Sequence, residues 1–302
     1  MRNNGERNGT TSALGRAVVD GFRRDGYYLH RGLFPRAQAE EAAAWLRAQD
    51  GEKLAKFWTE QEPAVPLAVF SVIHKADHPI SVMANDAGML AMAGELMGDD
   101  VYIWASKVNL KAAWCGTAEY YHQDLVYWKD RGYPRDEMLS CMVVLDPHTL
   151  DNAALRVMPG THRLGFIEHQ PFININGLAK YMVPPATLER LHREHGLLTV
   201  EAEPGDVLFF HTSLVHGSAH NISPHPRMII LSQLNTVGNE PREVATNARD
   251  FNLRRAEMEL REAERRLAWF RQKYEDQARS AELTFAAPIP EEERRTPPRY
   301  DA

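Results

Sequence analysis

The sequence predicts a mainly β protein with flanking helices. The expected core is a double-stranded β-helix, the cupin-like jelly roll, with N-terminal helices before it and a long C-terminal amphipathic helix after it. Two observations carry this expectation. From Val101 to Leu234, short runs of strand-type residues are separated by turn signals rather than crossover helices, which is the pattern of an antiparallel double sheet. Outside that block the apolar residues recur at helical spacing.

Taken in order, residues 1–12 are polar and are expected to be disordered. Leu14, Val18 and Phe22 recur every four residues, which predicts a helix from Ala13 to about Arg24, broken by Gly26. Tyr27 to Leu33 reads as a strand, Arg36 to Ala48 as an Ala- and Glu-rich helix, and Met83 to Met97 as a helix ending at Gly98. The expected strands are Val101–Leu110, Ala118–Trp128, Leu139–Leu145, Ala154–Met158, Leu197–Ala202, Val207–Phe210 and Met228–Leu234. Pro159-Gly160, Pro204-Gly205-Asp206 and Ser223-Pro224-His225-Pro226 supply turns between them. Residues 166–196 form a long insertion, read as a lid, with a helix from Pro185 to His195. The domain is therefore drawn at 13–240, the C-terminal helix at 241–280 and an extended tail at 281–302. Along that helix Leu253, Ala256, Leu260, Ala263, Leu267, Phe270 and Tyr274 form one apolar stripe, which can pack on its own subunit or form a homodimer.

Composition narrows the function classes. The formal net charge is -6, with 35 basic and 41 acidic residues, so the balance does not favour nucleic acid as a partner. The two cysteines, Cys115 and Cys141, are not spaced as a redox or zinc pair and fit a reducing compartment. No apolar run reaches membrane-spanning length and none marks a signal peptide, so the expectation is a soluble cytoplasmic protein.

The chemistry concentrates in His122-Gln123-Asp124, His216 and Arg227. On a strand, residues i and i+2 share a face, so His122 and Asp124 can grip one ion while Gln123 turns away. With His216 they supply two imidazoles and one carboxylate. That set, with open positions opposite, suits a non-heme Fe(II) oxygenase, and these three are the expected metal and catalytic residues. His192-Arg193-Glu194 repeats the spacing on a helix, where i and i+2 do not face together. His211 reads as a core histidine bonded to a backbone carbonyl, and His220 as a loop residue. Arg227 opens an apolar strand, and its planar fork suits the distal carboxylate of 2-oxoglutarate, with Ser218 as a further donor. Trp114, Tyr121, Tyr127, Trp128, Arg131 and Arg135 surround the motif and are candidate substrate contacts, although such aromatics are often core and loop arginines are often solvated.

Several segments, in the same order, resemble the phytanoyl-CoA dioxygenase family of Fe(II)/2-oxoglutarate oxygenases. The resemblance covers roughly residues 15–237. It runs through Phe22 to Tyr27, Arg31 to Pro35, HQDLVYW at 122–128, LDPHTLDNAALRVMPGTHRLG at 145–165 and PGDVLFFHTSLVHGSAHNISPHPR at 204–227. Ala153 and Thr161 stand where the family usually has Gly and Ser. Within the family, Ser106 to Lys111, Trp128 and Gly132-Tyr133-Pro134 are most similar to ectoine hydroxylases. Ala105 departs from their glutamine, Gln123 from their serine, and the C-terminal helix has no counterpart in that pattern. The resemblance implies Fe(II), 2-oxoglutarate and O2, and implies that Asn109 contacts 2-oxoglutarate. It also implies oxidation of an unactivated C–H bond of an amino-acid-like compound or secondary metabolite, with release of succinate and CO2. Asp124 argues against the halogenating relatives, which lack the carboxylate ligand. Oxidative cyclisation or desaturation in antibiotic biosynthesis stays open. So does a jelly-roll metalloprotein that does not use 2-oxoglutarate (an isomerase, hydrolase or sensor), or a non-catalytic scaffold.

Overall fold

The computed structural model describes residues 14–48, 79–129, 133–173 and 179–239. The expected disorder at 1–12, the helix at 241–280 with its dimer role, the tail at 281–302 and Arg131 lie outside the described residues.

Helix α1 (Arg16–Asp25) buries Phe22 and stops at Gly26, whose left-handed backbone (φ 81°) lets its N–H donate to the Phe22 carbonyl. Helix α2 (Arg36–Arg47) buries Ala39, Ala42, Ala43 and Leu46 along one stripe. The single helix expected up to Met97 is two: α3 (Pro79–Ala84) and α4 (Ala87–Met97). The cause is Asp86, whose carboxylate accepts the Met89 N–H at 2.8 Å and caps a new helix start.

Among the described residues the strands form two main antiparallel sheets and a separate two-stranded hairpin. The larger runs in the order β1 (Tyr27–His30), β9 (Val207–His211), β4 (Met138–Val144), β11 (Arg227–Thr236), β2 (Val101–Lys111). The smaller runs β3 (Glu119–His122), β10 (His216–Ser218), β5 (Arg156–Val157), β8 (Leu198–Thr199). From β3 onward the chain moves back and forth between the sheets, the alternation expected of a jelly roll. The insertion at 166–196 contains a hairpin that the sequence reading did not foresee, β6 (Gln170–Ile173) against β7 (Ala179–Met182), followed by helix α5 (Pro185–His195).

Period-two alternation divides the larger sheet into two faces. Val207, Phe209, Cys141, Val143, Met228 and Ile230 turn outward and join a core with residues of the helices, including Leu46, Met83 and Met89. Leu208, Phe210, Met142, Ile229 and Leu231 turn inward and meet Val157 of the smaller sheet. Strand β11 is buried along its whole length because β4 and β2 flank it and both its faces are covered. The inward positions form cross-strand rows. One row is Ala105, Gln233, Ser140 and Phe210; at the far end of the face Lys111 lies opposite Arg227.

The turn before β9 ties this sheet to the N-terminal segment. Asp206 is buried and accepts from Arg31, from the Gly32 N–H and from the Glu203 N–H. Gly205 has φ 96°, and a Cβ there would collide with the Phe34 carbonyl, whose residue's own N–H donates to the Gly205 carbonyl at 3.0 Å. Gly205→Ala combines left-handed strain with that collision, so it should lower stability by at least about 2 kcal/mol. A urea unfolding midpoint equal to wild type would show that the turn is not held in this way.

Candidate metal centre

His122 ends β3 and His216 begins β10, and the two residues are paired directly across the ladder. Only Glu119–His122 of the expected strand 118–128 forms a strand. Gln123 remains extended (φ -106°, ψ 132°), and the chain then enters a 3-10 turn over Asp124–Tyr127. The extended Gln123 preserves the i, i+2 relation, so His122 and Asp124 still point together. Gln123 is fully buried on the opposite side. Its amide donates to the Gly165 and Ser213 carbonyls and accepts the Ile167 N–H, stapling the insertion to the ligand strand.

One donor atom from each of His122, Asp124 and His216 lies within 4.8 Å of the others. Asp124 Oδ1 is 3.5 Å from His122 Nε2 and 3.7 Å from His216 Nε2. The imidazoles are locked from behind. His122 Nδ1 is 2.7 Å from the Tyr120 carbonyl and His216 Nδ1 is 3.0 Å from the Leu214 carbonyl. A carbonyl only accepts, so each Nδ1 carries the hydrogen and each Nε2 lone pair faces the centre. Ser140 donates to Asp124 Oδ2 at 2.8 Å, leaving Oδ1 for a metal. Nothing in the sequence pattern marked Ser140, because it reaches the site through the register of β4.

The electrostatics favour a cation. Burial works against ionisation of Asp124, but the two imidazoles and the Ser140 hydroxyl outweigh it and hold the carboxyl well below the usual range. Burial, and then the neighbouring His122, pushes His216 down to about 4, so it is a neutral donor. Burial also opposes charge on His122, yet the bond to Asp124 and its charge shift it upward overall. A negative carboxylate between two imidazoles thus keeps a place for one positive charge, and the donor set of two nitrogens and one oxygen fits Fe(II). Among the described residues no other set of three His, Cys, Asp or Glu converges in this way. His192 and His220 are exposed. His211 is packed against His162, but its Nδ1 accepts the Ser213 N–H instead of bonding a carbonyl.

Arg227 is 7% exposed and lies on the inward face of β11. One Nη1 hydrogen goes to the Ala153 carbonyl, the Nε–H has no partner, and no carboxylate pairs with the guanidinium among the described residues. Burial pushes its pKa down to about 10, so it is still a cation at neutral pH. Ser218 is also buried, and its hydroxyl accepts from Lys111, the residue opposite Arg227, at 2.9 Å; its own O–H can still donate. Asn109 sits on the same inward face, and its Oδ1 is buried without a partner. The free Arg227 Nε–H calls for an acceptor and the Asn109 Oδ1 for a donor, and the charge of the nearby Glu119 acts on Arg227 without a direct pairing.

The candidate substrate residues separate. Tyr127 packs edge-on to His122 at 6.0 Å, and Trp128 packs on Trp104 at 4.1 Å. Tyr181 of β7, which the sequence reading missed, touches Tyr127 at 5.7 Å. Tyr121 is a correction: adjacent to His122 on a strand, it faces the other way and packs in a cluster with Met158, Val183, Leu191 and Val215. Trp114 is 66% exposed in a loop. Arg135 pairs with Glu137 at 2.9 Å while its backbone N–H donates to Asn239, which makes it a surface and loop-pinning residue.

The phytanoyl-CoA dioxygenase family model matches residues 22–229. The ectoine dioxygenase of Sphingopyxis alaskensis is 31% identical over 233 residues, covering 72% of this chain and 74% of that protein. The L-proline trans-4-hydroxylase of Streptomyces griseoviridis is 28% identical over 179 residues, covering 56% and 67%. The crystal structure of EctD from S. alaskensis with 2-oxoglutarate and 5-hydroxyectoine is similar with a TM-score of 0.64 and 29% identity, over 79% of this chain and 83% of that one.

Ser140→Ala should weaken Fe(II) binding by roughly tenfold or more, because it frees a ligand carboxylate to rotate. Anaerobic competition with a chelator measures this, and unchanged affinity would remove Ser140 from the metal's supporting shell.

Proposed function

This chain belongs to the phytanoyl-CoA dioxygenase family and is an Fe(II)/2-oxoglutarate-dependent dioxygenase, and on that premise we propose that it hydroxylates an unactivated C–H bond of a small amino-acid-like molecule. In this reading His122, Asp124 and His216 hold the iron, and Arg227, Ser218 and Asn109 hold 2-oxoglutarate. Iron, 2-oxoglutarate and O2 together supply the oxidation: one oxygen atom goes to the substrate C–H and the other to succinate as CO2 leaves.

The observation that carries the assignment is the pairing of two incomplete sites on facing walls. The three ligands need a cation, and the buried Arg227 needs an anion. A cosubstrate that chelates iron at one end and presents a carboxylate at the other satisfies both. Arg227 contributes a fork that accepts a carboxylate through two parallel hydrogen bonds in a dry setting, where such bonds are strong. The inward wall of Met142, Leu208, Ile229 and Leu231 keeps water from the space between the two ends. The chain retains Asp124, which keeps a carboxylate on the metal.

Tyr127, Trp128 and Tyr181 line the approach to His122 in this reading, with Trp104 behind Trp128. Their ring faces suit a compact ring or a cationic nitrogen. The relatives named for ectoine and for L-proline support a small zwitterionic substrate of that kind.

The direct test is succinate release from 2-oxoglutarate with a panel of ectoine, L-proline and related cyclic amino acids. One or more compounds should raise succinate and gain one oxygen atom, and Asp124→Ala should reduce product to background. Near-normal hydroxylation by that variant would contradict the ligand assignment. Arg227→Ala should raise KM for 2-oxoglutarate at least about thirtyfold, as expected on losing a buried charged partner; an unchanged KM would remove Arg227 from the cosubstrate site.

A further inference from the structure

His148 has no role in the site as described so far. It is 1% exposed, and neither ring nitrogen has a partner among the described residues. A buried imidazole with both nitrogens unsatisfied is uncommon, since a lost partner costs a buried polar group its full desolvation. Its surroundings show what it lacks. The loop from Leu145 to Ala153 wraps the start of β11: the Leu145 and Asp146 N–H groups both donate to the Met228 carbonyl, and the Ala153 carbonyl accepts from Arg227 Nη1. Between those anchors the His148 backbone exchanges two hydrogen bonds with Ala202, and Asn152 Nδ2 donates to the Pro147 carbonyl at 2.7 Å. The loop is therefore fixed at both ends and in its middle. After burial itself, the charge of Arg227 is what drives His148 well below its ordinary pKa, so the imidazole is neutral and offers one bare lone pair. Arg227 has the complementary deficiency, a buried Nε–H with no acceptor.

We propose that His148 is a positioning residue for Arg227: as the distal carboxylate of 2-oxoglutarate enters, the Arg227 Nε–H donates to an imidazole nitrogen of His148. Four of the five guanidinium donors are then assigned. One Nη1 hydrogen stays on the Ala153 carbonyl, Nε–H goes to His148, and the Nη1–Nη2 edge is left for two parallel bonds to the carboxylate. The inference rests on the reading of Arg227 as the cosubstrate's anion site and adds a residue that sets how tightly that end is held. It gives this chain a sharper preference for a 2-oxoacid with a distal carboxylate than Arg227 alone would give.

The test compares 2-oxoglutarate with 2-oxobutyrate, which chelates iron the same way but has no distal carboxylate. Anaerobic calorimetry on the Fe(II)-loaded full chain gives both dissociation constants for wild type, His148→Phe and His148→Gln. The expected result is that His148→Phe weakens 2-oxoglutarate by about tenfold, the scale of one buried hydrogen bond, and leaves 2-oxobutyrate unchanged. His148→Gln, which restores an acceptor, should keep the wild-type preference. A variant that binds both acids equally less well, or a glutamine that rescues nothing, would make His148 a packing residue and overturn the proposal. If His148→Phe does not bind iron, His148→Leu serves the same comparison. A wild-type protein that binds iron yet shows no preference for 2-oxoglutarate over 2-oxobutyrate would refute the underlying Arg227 reading instead.

Discussion

A carboxylate buried between two imidazoles is the constraint around which this structure is organised. Asp124, His122 and His216 are each less than a tenth exposed, and their donor atoms converge. Leaving that charge uncompensated in a low-dielectric interior is costly, and binding a metal removes the cost. The strands around it keep the donors aimed. The ladder pairs His122 with His216, the Tyr120 and Leu214 carbonyls fix both rings, and Ser140 fixes the carboxylate. Each support comes from a backbone position that the jelly roll sets by register, so site geometry and fold are one problem.

The same logic runs in reverse at the other end of the inward face. Arg227 is a buried cation that pairs directly with no carboxylate among the described residues, beside Lys111, Ser218 and the loop that carries His148. Between the two ends the wall is aliphatic. The proposed cosubstrate, an anion with a metal-chelating head, would satisfy both ends at once. Hydrophobic burial gives the sheet its stability, and the unsatisfied polar groups give it its specificity.

Much of this was legible in the sequence because the informative residues are neighbours along the chain. His122 and Asp124 announce a shared face through strand spacing, and Arg227 stands out as a charge at the head of an apolar run. The jelly roll followed from the turn residues between short strands. What could not be read came from long-range register: Ser140, Tyr181 and His148 reach their places through pairings across 16 residues or more, which no local pattern encodes. Asp86 was readable as a helix cap and was passed over. Tyr121 was misplaced despite an available signal, because a residue next to His122 on a strand must face away from the metal. The hairpin β6–β7 was also readable, because Asn176-Gly177 stands between its two strand segments in the sequence, and it was passed over.

The central claim is that one buried site holds iron and 2-oxoglutarate together. Anaerobic addition of Fe(II) and then 2-oxoglutarate to the apoprotein tests it most directly, read by the weak visible charge-transfer absorption of an iron-chelated 2-oxoacid. The structure predicts a band that saturates at one iron and one 2-oxoglutarate per chain. Stoichiometric iron binding with no band on adding 2-oxoglutarate would contradict it and would make this a jelly-roll metalloprotein of another chemistry.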